Sequence, residues 1–180
     1  MQHPPAWLIA PALAVSSVAA PAFAVQYVDI EQAQKLFFPR ADRFALSAVV
    51  LTPEQKTVVE KTAGLRMRYT KQPVWQALAD GKLVGWVVQD EVIGKHEYIT
   101  YAVALDLSGT VLGVEILDYR ETHGREVRNP KWRAQFHGKQ HGAPLRLNDD
   151  ILNISGATLS CRHITEGVRR ILALHAVALK

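Results

Sequence analysis

Two periodicities divide this chain. Between residues 29 and 63 the apolar positions recur every three or four residues. Ile30, Ala33, Leu36 and Phe37 fall on one helical face, Asp29 stands where a cap belongs, and Pro39 closes the run. Thr52-Pro53-Glu54-Gln55 is a capping box with proline at the first helical position, so a second helix should run to Ala63 and stop at Gly64. Beyond Gly64 the period drops to two. Ile99, Tyr101, Val103 and Leu105 alternate with Tyr98, Thr100, Ala102 and Ala104, and Leu112, Val114 and Ile116 repeat the pattern. Strands are expected over 65–70, 74–79, 83–92, 98–106 and 110–119. Asp80-Gly81 and Ser108-Gly109 are hairpin turns. Links this short make the strands antiparallel neighbours, because a parallel pair needs a long crossover.

Asn129-Pro130 opens a further helix with Trp132 and Phe136 on one face and Gly138 at its end. Residues 139–148 read as loop, with a short strand at 145–147. A last helix begins near Thr158. Ile164, Val168, Ile171, Leu172 and His175 form its apolar stripe, while Glu166, Arg169 and Arg170 point elsewhere. That stripe can cover the sheet. The expected fold is α+β: an antiparallel β-sheet meander packed by flanking helices in a single domain.

Composition narrows the chemistry. The chain has 180 residues, 48% of them hydrophobic, enough for one real core. The formal net charge of +4 is spread among interleaved acids, so no nucleic-acid partner is expected. A basic surface of this kind equally suits an acidic redox partner or an anionic membrane. Cys161 is the sole cysteine, which excludes an intramolecular disulfide, Cys-x-x-Cys-His haem attachment and four-cysteine iron–sulfur ligation. An electron carrier here would be organic. Neither Gly-x-Gly-x-x-Gly nor a Walker motif occurs. His137 and His141 are four apart but flanked by Gly138 and Gly142, which disfavours a helical metal pair.

Residues 1–24 contain no Asp, Glu, Lys or Arg, Trp7 to Val18 is apolar, and Ala22-Phe23-Ala24 fits a signal-peptidase site. The expectation is a cleaved export signal, with an uncleaved anchor and then a buried helix as the alternatives, and hence a periplasmic or otherwise extracytoplasmic location.

The run Ser155-Gly156-Ala157-Thr158-Leu159-Ser160 leads straight into the last helix. A helix amino terminus offers unpaired N–H groups and partial positive charge, which suit a phosphate. Gly156 and Ala157 permit close approach, and Ser155, Thr158 and Ser160 add hydroxyls. On physical grounds alone, a plain Ser/Thr cap is a simpler account of such a string than a phosphate site.

Ser-Gly-Ala-Thr-x-Ser ahead of a C-terminal helix resembles the flavinylation motif of the FMN-binding domain family. That family includes the G subunit of the Rnf complex and the C subunit of the sodium-translocating NADH:quinone oxidoreductase. The resemblance implies FMN joined covalently by a phosphoester to Thr158, installed by a flavin transferase. Leu152 occupies the place, three before the serine, where the family often has an acidic residue. A second stretch agrees: Glu121, Thr122, His123 and Gly124 form the polar loop after a strand, and Trp132, Phe136, Gly138 and Lys139 follow. The family's Glu-Thr-Pro-Gly-Leu-Gly loop is altered here, since Thr122 is followed by His123-Gly124-Arg125-Glu126 and the proline and second glycine are missing.

Under this resemblance the cofactor-binding set is Thr158, Ser155, Gly156, Ala157, Leu159, Ser160, Glu121, Thr122, His123, Gly124 and Trp132. A flavin ring needs a flat contact and donors to its carbonyls and nitrogens. Trp132 or Tyr119 can supply the first; Thr122, N–H groups near Gly124, and Arg125 can supply the second. Phe136, and equally Trp132, also read as core residues. The implied organisation is an export segment over 1–24, an N-terminal helical segment over 25–70 and an FMN-binding domain over 71–180. The implied role is an electron carrier or oxidoreductase subunit, without catalytic residues of its own, relaying electrons between a membrane redox system and another carrier. Membrane association fits the same role. Two alternatives stay open: a non-covalent module for FMN or another phosphate ligand, and an exported metal-binding or sensory domain using the loop histidines.

Overall fold

The computed structural model describes residues 28–179; the proposed export segment lies outside them. Five antiparallel strands form one sheet in chain order, β1 to β5: Arg43–Val49, Gln72–Ala79, Lys82–Ile93, Tyr98–Asp106 and Val111–Tyr119. Helix α1 spans Ile30–Phe37, α2 Pro53–Ala63, a single turn α3 Pro130–Arg133, and α4 Thr158–Ala178. The α+β class and single sheet are as the periodicities predict.

The turn chemistry is also as expected. Asp80 and Gly81 both take positive φ, 50° and 72°, and join β2 to β3. At the next hairpin on that side, Asp106 Oδ1 accepts from Ser108 N, Ser108 Oγ and Thr110 N at 2.9, 2.7 and 2.8 Å. Both N-terminal helices carry complete capping boxes. Asp29 accepts from Gln32 N while Gln32 returns a bond to Asp29 N, and Thr52 and Gln55 repeat the arrangement.

The sheet buries both faces. One carries Val88, Tyr101, Val103, Val114 and Ile116 against Ile164, Val168, Ile171 and Leu172 of α4. The other carries Ala77, Val87, Ala102 and Ala104 beneath Phe37 and Phe38 at the end of α1. Helix α2 packs on α4, and Gln55 Nε2 donates to Val177 O at 3.2 Å. The β5 edge is closed: Val111 N donates to Lys139 O, Gly138 N to Val111 O, and Arg133 Nη1 to Val114 O. At the other edge, β1 pairs with β2 alone among the described residues and leaves Leu46 66% exposed.

Three expectations need correction. β1 lies within a stretch read as helical and loop; it is an edge strand whose ladder with β2, Arg43↔Leu78 to Val49↔Gln72, supplies the order that its weak alternation does not. Residues 65–70 form no strand. Their backbone groups are satisfied elsewhere: Met67 N donates to Glu60 Oε1 and Arg66 O accepts from Arg170 Nη1. Around 145–147 there is only one isolated bridge, Leu147↔Ile151.

Arg170 does not point away from the core. It is 4% exposed, and its Nε and Nη2 meet Asp90 Oδ2 at 2.9 and 2.6 Å. Tyr101 donates to the same oxygen at 3.0 Å, and Arg170 Nη2 also reaches Glu91 O. Burial pushes the Asp90 carboxyl up, against the pull of Arg170. An arginine can be buried in this way because its fork of donors finds acceptors from β3 and from residue 66. The pair staples α4 across the sheet.

Candidate functional site

The meander brings three chain segments to one end of the sheet. β3 ends at Ile93 and β4 begins at Tyr98, so the 94–97 turn lies at the same end as the exit of β5, where Ile99 pairs with Tyr119. The loop after β5 and the first turn of α4 complete the group. Together they line an open cleft of about 250 Å³, formed by Lys95, His96, Glu121, Thr122, His123 and residues 156–160.

Each wall has an identifiable support. The Glu121 carboxylate is 6% exposed, and its Oε1 accepts from three successive backbone N–H groups: Lys95, His96 at 2.6 Å and Glu97 at 3.0 Å. Burial pushes its pKa up, but these donors prevail and hold it below the usual carboxylate range. Glu121 thus spends its charge on the 94–97 turn. The side chains of Lys95 and His96 are carried on that turn and stand exposed at the cleft.

Tyr119 ties the second wall to the third. Its hydroxyl donates to His123 O at 2.6 Å and lies 3.2 Å from Ser160 Oγ. Burial raises its pKa, so it remains a phenol donor at neutral pH. Gly124 sits at φ +87°, and a Cβ there would stand 2.5 Å from the Tyr119 hydroxyl and 3.1 Å from Ala157 Cβ. Glycine lets this loop close onto the start of α4.

The third wall is the amino terminus of α4, a helix of 21 residues whose N-cap position is Ala157. No side chain caps it. Ser155 is exposed and leaves the first turn uncapped, so the plain-cap reading of the sequence does not hold. Gly156 reverses the chain here at φ +83°. Thr158 stands exposed on the lip of the cleft, and its Oγ1 accepts from Asn153 Nδ2 at 3.0 Å. Ser160 is buried against Tyr119, whereas Leu159 is 40% exposed and offers the apolar surface. Cys161 is buried, and burial raises its thiol pKa, which leaves it inert.

Of the residues singled out in the sequence, Thr158, Gly156, Ala157, Leu159, Ser160, Glu121, Thr122 and His123 line the cleft; Ser155, Gly124 and Trp132 do not. Trp132 packs edge-on against Phe136 in the core, with its Nε1 donating to Leu152 O at 2.7 Å. Gln135 Oε1 accepts from Leu152 N at 2.7 Å, so both groups of Leu152's backbone are held while its side chain is 69% exposed. Trp132 therefore steadies the approach to the Ser-Gly-Ala-Thr turn. Tyr119, too, is buried in the core. Lys95, His96 and Asn153 were missed. The antiparallel order could have found the first two, since it places the β3–β4 turn beside the β5 exit.

Among the described residues, no group of three or more His, Cys, Asp or Glu is arranged to hold a metal ion. None of their helices is long and apolar enough to cross a membrane.

Comparison with known proteins agrees with this geometry. Residues 94–173 match the model of the FMN-binding domain, a span that starts at the Glu121-held turn and ends within α4. The G subunit of the ion-translocating oxidoreductase complex of Stutzerimonas stutzeri is 31% identical over 114 residues, covering 57% of this chain and 50% of that protein. The match thus spans about half the length of that relative. The crystal structure of Shewanella oneidensis NqrC superposes with a TM-score of 0.53 at 20% identity, over 75% of this chain and 80% of that one, and so shares the fold. The turn that Glu121 fastens, the loop that Tyr119 and Gly124 close, and the open helix end at Thr158 all lie within the stretch that matches the FMN-binding domain.

Proposed function

We propose that this protein is an exported electron-transfer flavoprotein carrying FMN through a phosphoester to Thr158. One observation carries the reading: a long helix begins without a side-chain cap, and its open end faces a cleft with an exposed threonine hydroxyl on the lip. Unpaired N–H groups and the helix dipole favour an anion at that position.

The residues fit the phosphate end of FMN. Lys95 supplies a cation opposite the helix terminus, and His96 and His123 supply imidazoles. Asn153 donates to Thr158 Oγ1, and an ester oxygen can still accept that bond. At about 250 Å³ the cleft is smaller than the pockets of roughly 300–1,000 Å³ that enclose whole ligands. It would hold the phosphate end of the cofactor, and the exposed Leu159 would offer apolar surface to the ring. When bound, FMN supplies reversible transfer of one or two electrons. The chain contributes position and electrostatics: Glu121 fixes the turn bearing Lys95, and Tyr119 fixes the loop bearing His123.

A tether suits an exported carrier, because no flavin pool outside the cytoplasm would replace a lost cofactor. An exposed ring suits exchange with protein partners, a membrane redox system on one side and another carrier on the other. Attachment needs a flavin transferase. The test is the intact mass and absorption spectrum of the protein co-expressed with such an enzyme. A yellow protein with FMN added at Thr158 is expected. Flavin removable by denaturation would instead make the cleft a non-covalent FMN module, and a colourless protein of unmodified mass would end the flavin reading.

A further inference from the structure

On the far side of Thr158 lies a second cleft, of about 280 Å³, lined among others by Arg146, Arg162, Arg169 and Glu166, with Thr158 at one end. Thr158, Arg162 and Arg169 are spaced by four and then seven residues, so they follow one face of α4. Arg146 comes from the loop opposite. That loop is braced: Asp150 accepts from Arg146 N at 2.7 Å and Leu145 N at 3.2 Å, and pairs with Lys139 Nζ at 2.8 Å. The Asp150 carboxylate is therefore engaged with backbone and lysine.

Among the described residues, none of the three arginines takes part in an ion pair. Glu166, the carboxylate lining the cleft, is not paired with any of them. Three guanidiniums thus face one carboxylate. Arg169 adds an independent sign: its Nε is buried and has no acceptor. The neighbouring Arg170 shows what a satisfied arginine looks like in this fold, with Nε on Asp90. A buried donor without an acceptor is costly, and an entering oxyanion would remove that cost.

We infer that this cleft is a second anion site, distinct from the flavin cleft and built for a diphosphate group. Guanidinium forks match phosphate oxygens bidentately. Arg162 and Arg169 stand about 10.5 Å apart along the helix axis, a separation that two long side chains close over linked phosphates better than over a single one. The concave shape and the buried Arg169 donor favour a small penetrating group over a flat protein surface.

The experiment uses the full chain carrying Thr158→Ala, which cannot be flavinylated there, titrated with pyrophosphate by calorimetry. Saturable, arginine-dependent binding is expected, beside any pyrophosphate taken up at the open α4 end. Loss of a charge-assisted contact should weaken it about tenfold or more in Arg162→Met and Arg169→Met. Arg146→Met, on an exposed loop residue outside the core, gives the same reading without a folding risk, and Lys82→Met, an exposed cation outside both clefts, should leave affinity unchanged. Unchanged binding in all three arginine variants, or an equal loss in Lys82→Met, would overturn the assignment. So would a glutamate-rich peptide that binds more tightly than pyrophosphate with the same arginine dependence, which would make the cleft a docking surface for an acidic protein. None of these readouts involves flavin, so the two assignments stand or fall separately.

Discussion

The helix beginnings of this molecule differ in kind. α1 and α2 each open with a reciprocal capping box, Asp29 with Gln32 and Thr52 with Gln55. α4 is the longest helix among the described residues and opens with alanine and no cap. The first two are packing elements, and their exposed N–H groups are satisfied by their own side chains. The third has hydroxyls at 155, 158 and 160, yet none of them turns back to cap it. A structural helix satisfies its end internally; a binding helix leaves that end for something else.

The sharpest way to break this comparison is to remove the Thr158 hydroxyl. Thr158→Ala should abolish covalent FMN entirely, read by intact mass, with the melting temperature of the unmodified protein unchanged because the side chain is exposed. Covalent flavin retained in that variant would move the attachment elsewhere and remove the functional reason for an open α4.

Glu121→Gln comes next. A neutral amide accepts less strongly from the three N–H groups of the 94–97 turn, so Lys95 and His96 should lose their fixed place. Flavin loading should fall several-fold, and hydrogen exchange at residues 95–97 should quicken. The same group sets a pH dependence. Its folded pKa is depressed, so its contribution is complete above the ordinary glutamate value and is lost as pH falls through the lower folded value. The turn should therefore loosen in acid in the wild type, and Glu121→Gln should lack that transition. An identical acid profile in the variant would assign the loosening to another carboxylate.

Asn153→Ala removes one donor to Thr158 Oγ1 and should slow flavin loading about fivefold, the equivalent of one hydrogen bond of about 1 kcal/mol. Unaltered loading kinetics would make Asn153 a bystander. The smallest effect belongs to the control side of the comparison. Thr52→Ala should cost about 1 kcal/mol in chemical denaturation and leave flavin loading untouched. If it impaired loading, the separation of structural from binding helix ends would fail.

Elements whose information is local were legible in the sequence. The α1 and α2 caps, both tight turns, β4 and the start of α4 all follow from adjacent residues. β1 did not, because an edge strand with a weak alternation is stabilised mainly by its neighbour. Residues 65–70 looked like strand by composition, but Glu60 and Arg170 take the backbone groups that a ladder would have used. The site divides in the same way. The Ser-Gly-Ala-Thr turn is a contiguous motif and could be read directly. Lys95 and His96 reach it through a carboxylate some 25 residues later in the chain, and no local pattern records that contact. Trp132 had two readings in the sequence, and in the structure it packs into the core with its indole on Leu152 O.

The two margins of the sheet have unequal fates. Beyond β5, the segment around Gly138 and Lys139 occupies the outward backbone groups at Val111, and Arg133 takes Val114 O, so an incoming chain finds that side taken. Beyond β1 nothing among the described residues does the same, and Leu46 is left on display there. Unwanted strand-to-strand association at high concentration should therefore start from that margin alone, and a lysine in place of Leu46 is the economical remedy.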